Sequence, residues 1–293
     1  MLELTSPAVL KSLLARHGFH FSKSLGQNFL LDKNVLDEIV HAAGIDTDSE
    51  VLEIGPGFGT LTQALCSAAG KVAAIEIDSA ALPVLEETCA PFDNLTVIHG
   101  DVLKLDLKSL IAEQFSGHTV KVAANLPYYI TSPILTMLIE NELPIQSITV
   151  MVQKEVADRL CAAPGGKEYG VLSVAVQFYC TAQTVCIVPP ESFMPPPSVD
   201  SAVVHLTLRN TPAVEVPDRA LFFRVVRAAF ALRRKTLLNS LTGSGLLGLS
   251  KELIAYALDE AQIAPNRRGE TLSLEEFAKL CEIFFKIKED FKG

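Results

Sequence analysis

No stretch of this sequence is long and apolar enough to read as a membrane span, although the mean hydropathy of +0.31 is high. The longest suspicious stretch, residues 170–190, carries no charge but is interrupted by Ser173, Gln177, Thr181, Gln183 and Thr184. A span needs about 20 nearly continuous apolar residues, so the stretch reads as a buried helix followed by a strand. None of the six cysteines forms a Cys-x-x-Cys pair. A chain this long needs no disulfide framework, and buried free thiols in a reducing cytosol are expected. A Walker loop, a His-Glu-x-x-His helix and a Gly-x-Ser-x-Gly elbow are all missing, which removes the phosphate-loop, zinc-protease and serine-hydrolase readings they carry. The six histidines are scattered, with only His17 and His20 close together, so no metal site is expected. Net positive charge is missing as well. The formal charge is -9 and the pI about 5.2, which excludes a uniformly basic coat but leaves room for a local basic face. The opening MLELTSPAVLK has Glu3 early, no basic n-region and no small-residue cleavage site, so a cytoplasmic protein without a signal peptide is expected.

What is present points to a folded enzyme. The 293 residues are 49% hydrophobic and 20% charged, enough for about two domains with sizeable cores. The first 45 residues suggest two helices around a polar loop, FSKSLGQNFLLD, with Asp32 as the second helix's N-cap. Then short apolar runs at 51–54, 72–77, 95–98, 120–124 and 148–152 alternate with helical patterns. Such runs predict an α/β domain whose mainly parallel sheet is covered on both faces. Two further runs, 184–188 and 202–208, flank the stiff PPESFMPPPSVD and extend the sheet as a strand pair. TPAVEVPD reads as a linker, which places the boundary at residue 210 and a small all-helical domain over 211–293.

The first strand runs into VLEIGPGFGTLT. Gly55 and Gly57 allow left-handed backbone and close approach to a ligand, and Gly59 lets the next helix pack near the strand. The third glycine comes one residue too early for a dinucleotide loop. Glu53, just before the loop, suits a ligand carrying an ammonium group better than one carrying a pyrophosphate. Glu76 ends the second strand, where an acid can accept from both ribose hydroxyls; a helix-capping acid is the plainer alternative, and Asp78 fits that alternative better. Asp101 ends the third strand, placed either to accept from an adenine amino group or to make a turn after Gly100. Together these strand ends suit an adenosine with a cationic tail, such as S-adenosylmethionine.

The fourth strand ends in Asn125-Leu126-Pro127-Tyr128. An exocyclic adenine N6 is a poor nucleophile, because its lone pair is delocalised into the ring. An asparagine oxygen and a backbone carbonyl accepting from that amino group steer the lone pair toward a sulfonium methyl. Pro127 stiffens the loop and Tyr128 offers a stacking face for an extruded base. Phe193, within ESFMPPP, is either the second wall of the base pocket or a core side chain.

Residues 219–240 contain Arg219, Arg224, Arg227, Arg233, Arg234 and Lys235 and no acid. Read as one helix at 100° per residue, they put Arg224, Arg227, Arg234 and Lys235 on one face, opposite an apolar stripe. That face is either solvated or a phosphate-contacting surface.

LGQNFLLD, VLEIGPGFGTLT, IEID, HGDVLKLD, NLPYYITSPI, VQKEVADRL and FMPPPSVDSAVV closely resemble the small-subunit ribosomal RNA adenine N6-dimethyltransferases over nearly the whole chain. The resemblance implies a Rossmann-like methyltransferase domain and a helical RNA-binding domain. It implies dimethylation of two adjacent adenosines in a hairpin near the 3′ end of 16S rRNA, within a maturing small subunit. It also carries S-adenosylmethionine contacts onto Asn28, Leu30, Gly55, Glu76, Asp101 and Asn125. A monomer with no membrane contact is expected. The rivals are a large-subunit adenine methyltransferase conferring macrolide resistance, a noncatalytic assembly or transcription factor on the same scaffold and, more distantly, a nicotinamide dehydrogenase.

Overall fold

The computed structural model describes residues 2–19, 26–116 and 119–290. The expected loop residues 20–25, with His20, lie outside that range. In chain order the first elements are α1 (Pro7–Arg16), β1 (Phe29–Leu30) and α2 (Lys33–Ala42). β2 (Glu50–Ile54), α3 (Thr60–Ala68), β3 (Lys71–Glu76), α4 (Leu82–Cys89), β4 (Leu95–His99), α5 (Leu107–Gln114) and β5 (Val120–Asn125) follow. Next come α6 (Thr131–Glu140), β6 (Ile145–Gln153), α7 (Lys154–Leu160), α8 (Val171–Tyr179), β7 (Cys180–Val188), β8 (Phe193–Met194) and β9 (Ser201–Leu208). The chain ends in α9 (Arg219–Ala231), α10 (Leu237–Gly243), α11 (Lys251–Glu260) and α12 (Leu274–Asp290).

Seven strands form one sheet in the order β4-β3-β2-β5-β6-β9-β7. β2 to β6 pair in parallel and β9 joins β6 antiparallel. The central runs are continuous because both faces are covered: Val51, Leu52, Val72, Ala73, Val122, Ala123, Ile148 and Val150 are fully buried. β4 departs from that expectation. It is an edge strand, and Val97 is partly open to solvent at 39% exposure. From β2 the chain builds outward through β3 and β4, then returns to lay β5 on the other side of β2. The reversal opens a crevice beyond the carboxyl ends of β2 and β5, where open α/β sheets bind ligands. Asp32 caps α2 as expected, accepting from the Asn34 amide at 3.0 Å. A second, two-stranded pairing was not foreseen: β1 lies antiparallel to β8, with Leu30 opposite Phe193.

The chain divides into two compact units, Met1–Ala157 with Ala182–Leu208, and Asp158–Thr181 with Arg209–Gly293. The single boundary expected at residue 210 is therefore incomplete. The extra segment carries α8, whose Val174, Ala175 and Phe178 are buried in one core with Phe222, Phe223 and Val226 of α9. Burying such side chains contributes roughly 1.5–3 kcal/mol each, which ties α8 to the helical unit despite its place in the chain.

The basic stretch also differs from the single helix expected. α9 stops at Ala231, and Leu232 leaves helical geometry with φ -124° and ψ 66°. Leu237 and Leu241 of α10 are buried and need the core, so the chain turns back. The buried Ser240 hydroxyl seals the end of α9, donating to the Ala228 carbonyl at 2.8 Å and accepting from the Leu232 amide at 3.0 Å. Arg224 and Arg227 remain exposed on α9, while Arg234 and Lys235 stand exposed in the turn after it, not on the same helical face. Arg233 serves the fold, donating to the Lys167 and Tyr169 carbonyls at 2.6 and 3.1 Å.

None of the six cysteines is in a disulfide; Cys161 is exposed and Cys186 half-buried, so not all are core thiols. His17, at the end of α1, sits 2.6 Å from Glu87. No helix among the described residues is long and apolar enough to cross a membrane.

Candidate active site

Everything at the cleft belongs to the first unit. Its floor is the glycine loop. Gly55, Gly57 and Gly59 all take positive φ, at 73°, 57° and 89°, which L side chains rarely adopt. Each answers a different constraint. A Cβ on Gly57 would stand 2.7 Å from the Phe29 ring, and one on Gly59 would stand 2.8 Å from Cys89 Sγ. Gly59 thus admits α4 rather than bringing α3 to its strand. A Cβ on Gly55 would meet nothing within 4 Å, so that glycine faces the open cleft.

Two acids stand at this floor. Glu53 lines the cleft yet is only 1% exposed. Burial pushes its pKa up to about 8, and the Glu76 carboxylate nearby adds to the rise. The Thr62 hydroxyl close by opposes the rise, yet Glu53 Oε2 and the Thr60 hydroxyl are buried without a well-formed hydrogen bond among the described residues. A buried carboxylate with an idle oxygen is costly unless a cationic or donor group completes it. Glu76 is also buried but engaged: its two oxygens accept from the Gly57 and Asp78 amides at 2.9 and 2.8 Å. Burial raises its pKa while those amides oppose the rise. An ionised carboxylate offers about four acceptor positions, so two remain for a diol. Ile77, half exposed, extends the wall beside it.

Asp78 was read as the cap of the following helix, but α4 begins at Leu82 with Ala81 before it. Asp78 instead turns the chain, accepting from the Ala80 amide at 3.0 Å, and accepts from the Gln27 side chain at 2.7 Å. Asp101 is not brought into the cleft wall. One of its oxygens accepts from the Leu103 amide at 3.1 Å and the other pairs with Lys104 at 3.1 Å, which is the turn geometry held open as its alternative.

The segment Gly26 to Leu30 walls the opposite side, so Asn28 and Leu30 both reach the cleft. Phe29 anchors it, stacked on Phe58 with ring centroids 3.9 Å apart. Asn125, at the end of β5, donates through Nδ2 to the Asn28 carbonyl at 2.9 Å. That bond settles which way the amide faces and leaves Oδ1 as its acceptor. The Pro127 carbonyl is taken by the Ile130 amide at 3.2 Å and the Thr131 hydroxyl at 3.0 Å. Tyr128 begins a single 3-10 turn, and its hydroxyl lies 2.7 Å from Ser201 Oγ. Burial raises the Tyr128 pKa.

Phe193 corrects an expectation. It does not line the cleft but is 4% exposed, in a core cluster with Leu30, Val51 and Leu61. β8 holds it by its backbone opposite Leu30, which turns its ring into the core. Gln27, Ile77, Thr60 and Tyr129 line the cleft without having been singled out from the sequence. Tyr129, directly after Tyr128, was open to that inference: it is an exposed aromatic at the mouth. No group of three or more metal-ligating side chains occurs among the described residues.

Comparison with known proteins agrees with this geometry. A model described as ribosomal RNA adenine dimethylase matches residues 18–286. A protein of Bacillus licheniformis named ribosomal RNA small subunit methyltransferase A is 54% identical over 282 residues, 96% of this chain and 97% of the relative. Among solved structures, a dimethyladenosine transferase from Plasmodium falciparum is 29% identical with a TM-score of 0.75, covering 88% of this chain and 98% of that one. The 23S rRNA methyltransferase ErmE is 26% identical with a TM-score of 0.66, covering 88% of this chain and all of its own. A crevice built on an Asn-Leu-Pro-Tyr turn, and a match running almost from end to end, place the chain in the ribosomal RNA adenine dimethylase family.

Proposed function

We propose that this protein transfers methyl groups from S-adenosylmethionine to N6 of two adjacent adenosines near the 3′ end of 16S rRNA. The target is a hairpin in a maturing small subunit, and the product is N6,N6-dimethyladenosine. One observation carries the reading: the Asn125 amide is oriented before any substrate arrives, donating to Asn28 and presenting Oδ1 beside the glycine loop. The cofactor supplies a methyl group activated on a sulfonium. Glu53, with its idle buried oxygen, meets the cationic tail, Glu76 accepts from the ribose hydroxyls, and Gly55 and Gly57 let the backbone come close. Asn28 and Leu30 close the wall. Asp101 accepts from the adenine amino group of the cofactor once exposed Lys104 swings aside.

At the reacting end, Asn125 Oδ1 and one backbone carbonyl accept from the target amino group. The Pro127 carbonyl has both lone pairs engaged, so the Leu126 carbonyl takes that role. The two acceptors stabilise positive charge developing on N6, and the proton leaves afterwards to solvent. Tyr128 stacks the extruded base, with Pro127 holding the turn stiff; Phe193 supports Leu30 from the core instead of touching the base. Arg224, Arg227, Arg234 and Lys235 contact RNA phosphates from the second unit.

Identity of 54% to a protein named for the small subunit, against 26% to one named for 23S rRNA, favours the small-subunit substrate. The test incubates the protein with labelled S-adenosylmethionine and undermethylated small subunits, then maps the modified nucleotides. Label on two adjacent adenosines near the 3′ end supports the reading. Label elsewhere in the small subunit, or none, overturns it.

A further inference from the structure

Tyr128 sits on slender support. Its backbone belongs to the single turn Tyr128–Ile130 that follows Pro127, and its ring is only half-buried. A tyrosine so placed has several staggered positions about its first side-chain bond, and only one can back a base at a fixed distance from Asn125. The far end of the ring is nevertheless tied: the hydroxyl lies 2.7 Å from Ser201 Oγ. Ser201 is the opposite kind of residue. It is fully buried, begins β9, and faces Gln153 across the antiparallel pairing with β6. The two residues are 73 apart in the chain.

We propose that Ser201 is a positioning residue for methyl transfer. Held by the β6–β9 ladder, it clamps the Tyr128 hydroxyl, so that backbone at one end and hydrogen bond at the other fix the axis of the ring. The inference rests on the reading of Tyr128 as the wall that stacks the target base. With its hydroxyl bonded to Ser201, Tyr128 offers the base its face and not a polar contact. The bond therefore acts on the alignment of N6 with the methyl group, a property of the transition state, and not on holding the cofactor.

The test compares Ser201→Ala, Tyr128→Phe, the double variant and Tyr128→Ala. Measured for each are the unfolding temperature, the cofactor Kd by calorimetry, and kcat and KM on undermethylated small subunits. Ser201→Ala and Tyr128→Phe each remove one side of the same bond. Each should lower kcat roughly three- to tenfold, with cofactor Kd and particle KM within a factor of about two. The double variant should be no slower than the slower single one, because only one bond exists to lose. Tyr128→Phe keeps Ser201 intact and guards against a folding defect in the alanine variant. A parental kcat in Ser201→Ala, or single losses that multiply in the double variant, overturns the role of Ser201. If Tyr128→Ala is slow while Ser201→Ala is parental, stacking on Tyr128 stands and only the clamp falls. If Tyr128→Ala keeps the parental rate, the stacking reading is lost and the clamp with it.

Discussion

One acid, Glu76, ends β3 and another, Asp101, follows β4, and the two are held in opposite ways. Glu76 is buried and fixed by two backbone amides, one from the glycine loop. Asp101 curls into its own turn and pairs with a lysine whose side chain is 83% exposed. β3 is an inner strand and Glu76 is its last residue, while Asp101 lies in the turn past the end of the edge strand β4, so the two acids meet different surroundings. The same contrast separates the cleft from the second unit, where Arg224, Arg227, Arg234 and Lys235 stand exposed. A side chain pinned before its ligand arrives spends little ordering on binding; an exposed one acts through charge and is screened by salt. Losses should therefore be steep at pinned groups and shallow at loose ones.

The steepest is Asn125→Ala. It removes an acceptor already oriented by Asn28 and should slow single-turnover methyl transfer about 10²–10³-fold. A rate within about threefold of the parent, far short of that range, breaks the contrast at its strongest point. Glu76→Ala comes next. Loss of a charge-assisted contact should weaken cofactor binding by roughly 1.5–3 kcal/mol, read by calorimetry. An unchanged dissociation constant returns Glu76 to a loop-holding role alone.

A third prediction concerns the buried acids without ligand. Glu53 ionises at about 8 in the folded chain against a reference of 4.5. The folded state thus holds a proton that the unfolded state has released, and stability falls as pH rises through that interval. The decline is at most about 1.4 kcal/mol per pH unit for one group. Denaturant unfolding across pH should show a shallower decline in Glu53→Gln; equal slopes would mean that the burial of Glu53 is relieved some other way.

In the second unit, reversing Arg224, Arg227 and Arg234 to Glu should lower affinity for the small-subunit particle and flatten its salt dependence. Each lost phosphate contact is worth a slope of roughly 0.7 in log affinity against log salt. Cofactor affinity should hold. Since Arg234 stands in a turn apart from the helix, R234E alone and the R224E/R227E pair sharpen the map. Particle titrations that overlay the parent's mark the face as merely solvated. The smallest effect belongs to Asp101→Ala, an exposed-partner hydrogen bond of about 0.5–1.5 kcal/mol, a few-fold in cofactor Kd. A loss matching that of Glu76→Ala would show that pinning does not set the scale.

How much of this was legible depends on how far apart the partners lie. The glycine loop, the acid ending β3 and the Asn-Leu-Pro-Tyr turn are each local, with spacing that carries its own chemistry. The parallel sheet followed from apolar runs of strand length between helical patterns. The idle oxygen of Glu53 was hidden, because its burial comes from neighbours across the fold. So was the grip of Asn28 on Asn125, 97 residues away. Phe193 had two readings in the sequence, and its pairing opposite Leu30 favours the core. The run of basic residues after Arg219 looked like one helix because periodicity is blind to where a core ends. Burial of Leu237 and Leu241 breaks it.

The sequence by itself determined which groups stand at the strand ends, since strand length, glycine φ and turn chemistry act within a few residues. Only the tertiary structure decided which of those groups are pinned, which are idle and which are free. Burial and side-chain hydrogen bonds are set by residues far along the chain, brought together when β1 meets β8 and β9 meets β6. The same physics gave α8 to the helical unit: its apolar side chains are buried in one core with those of α9.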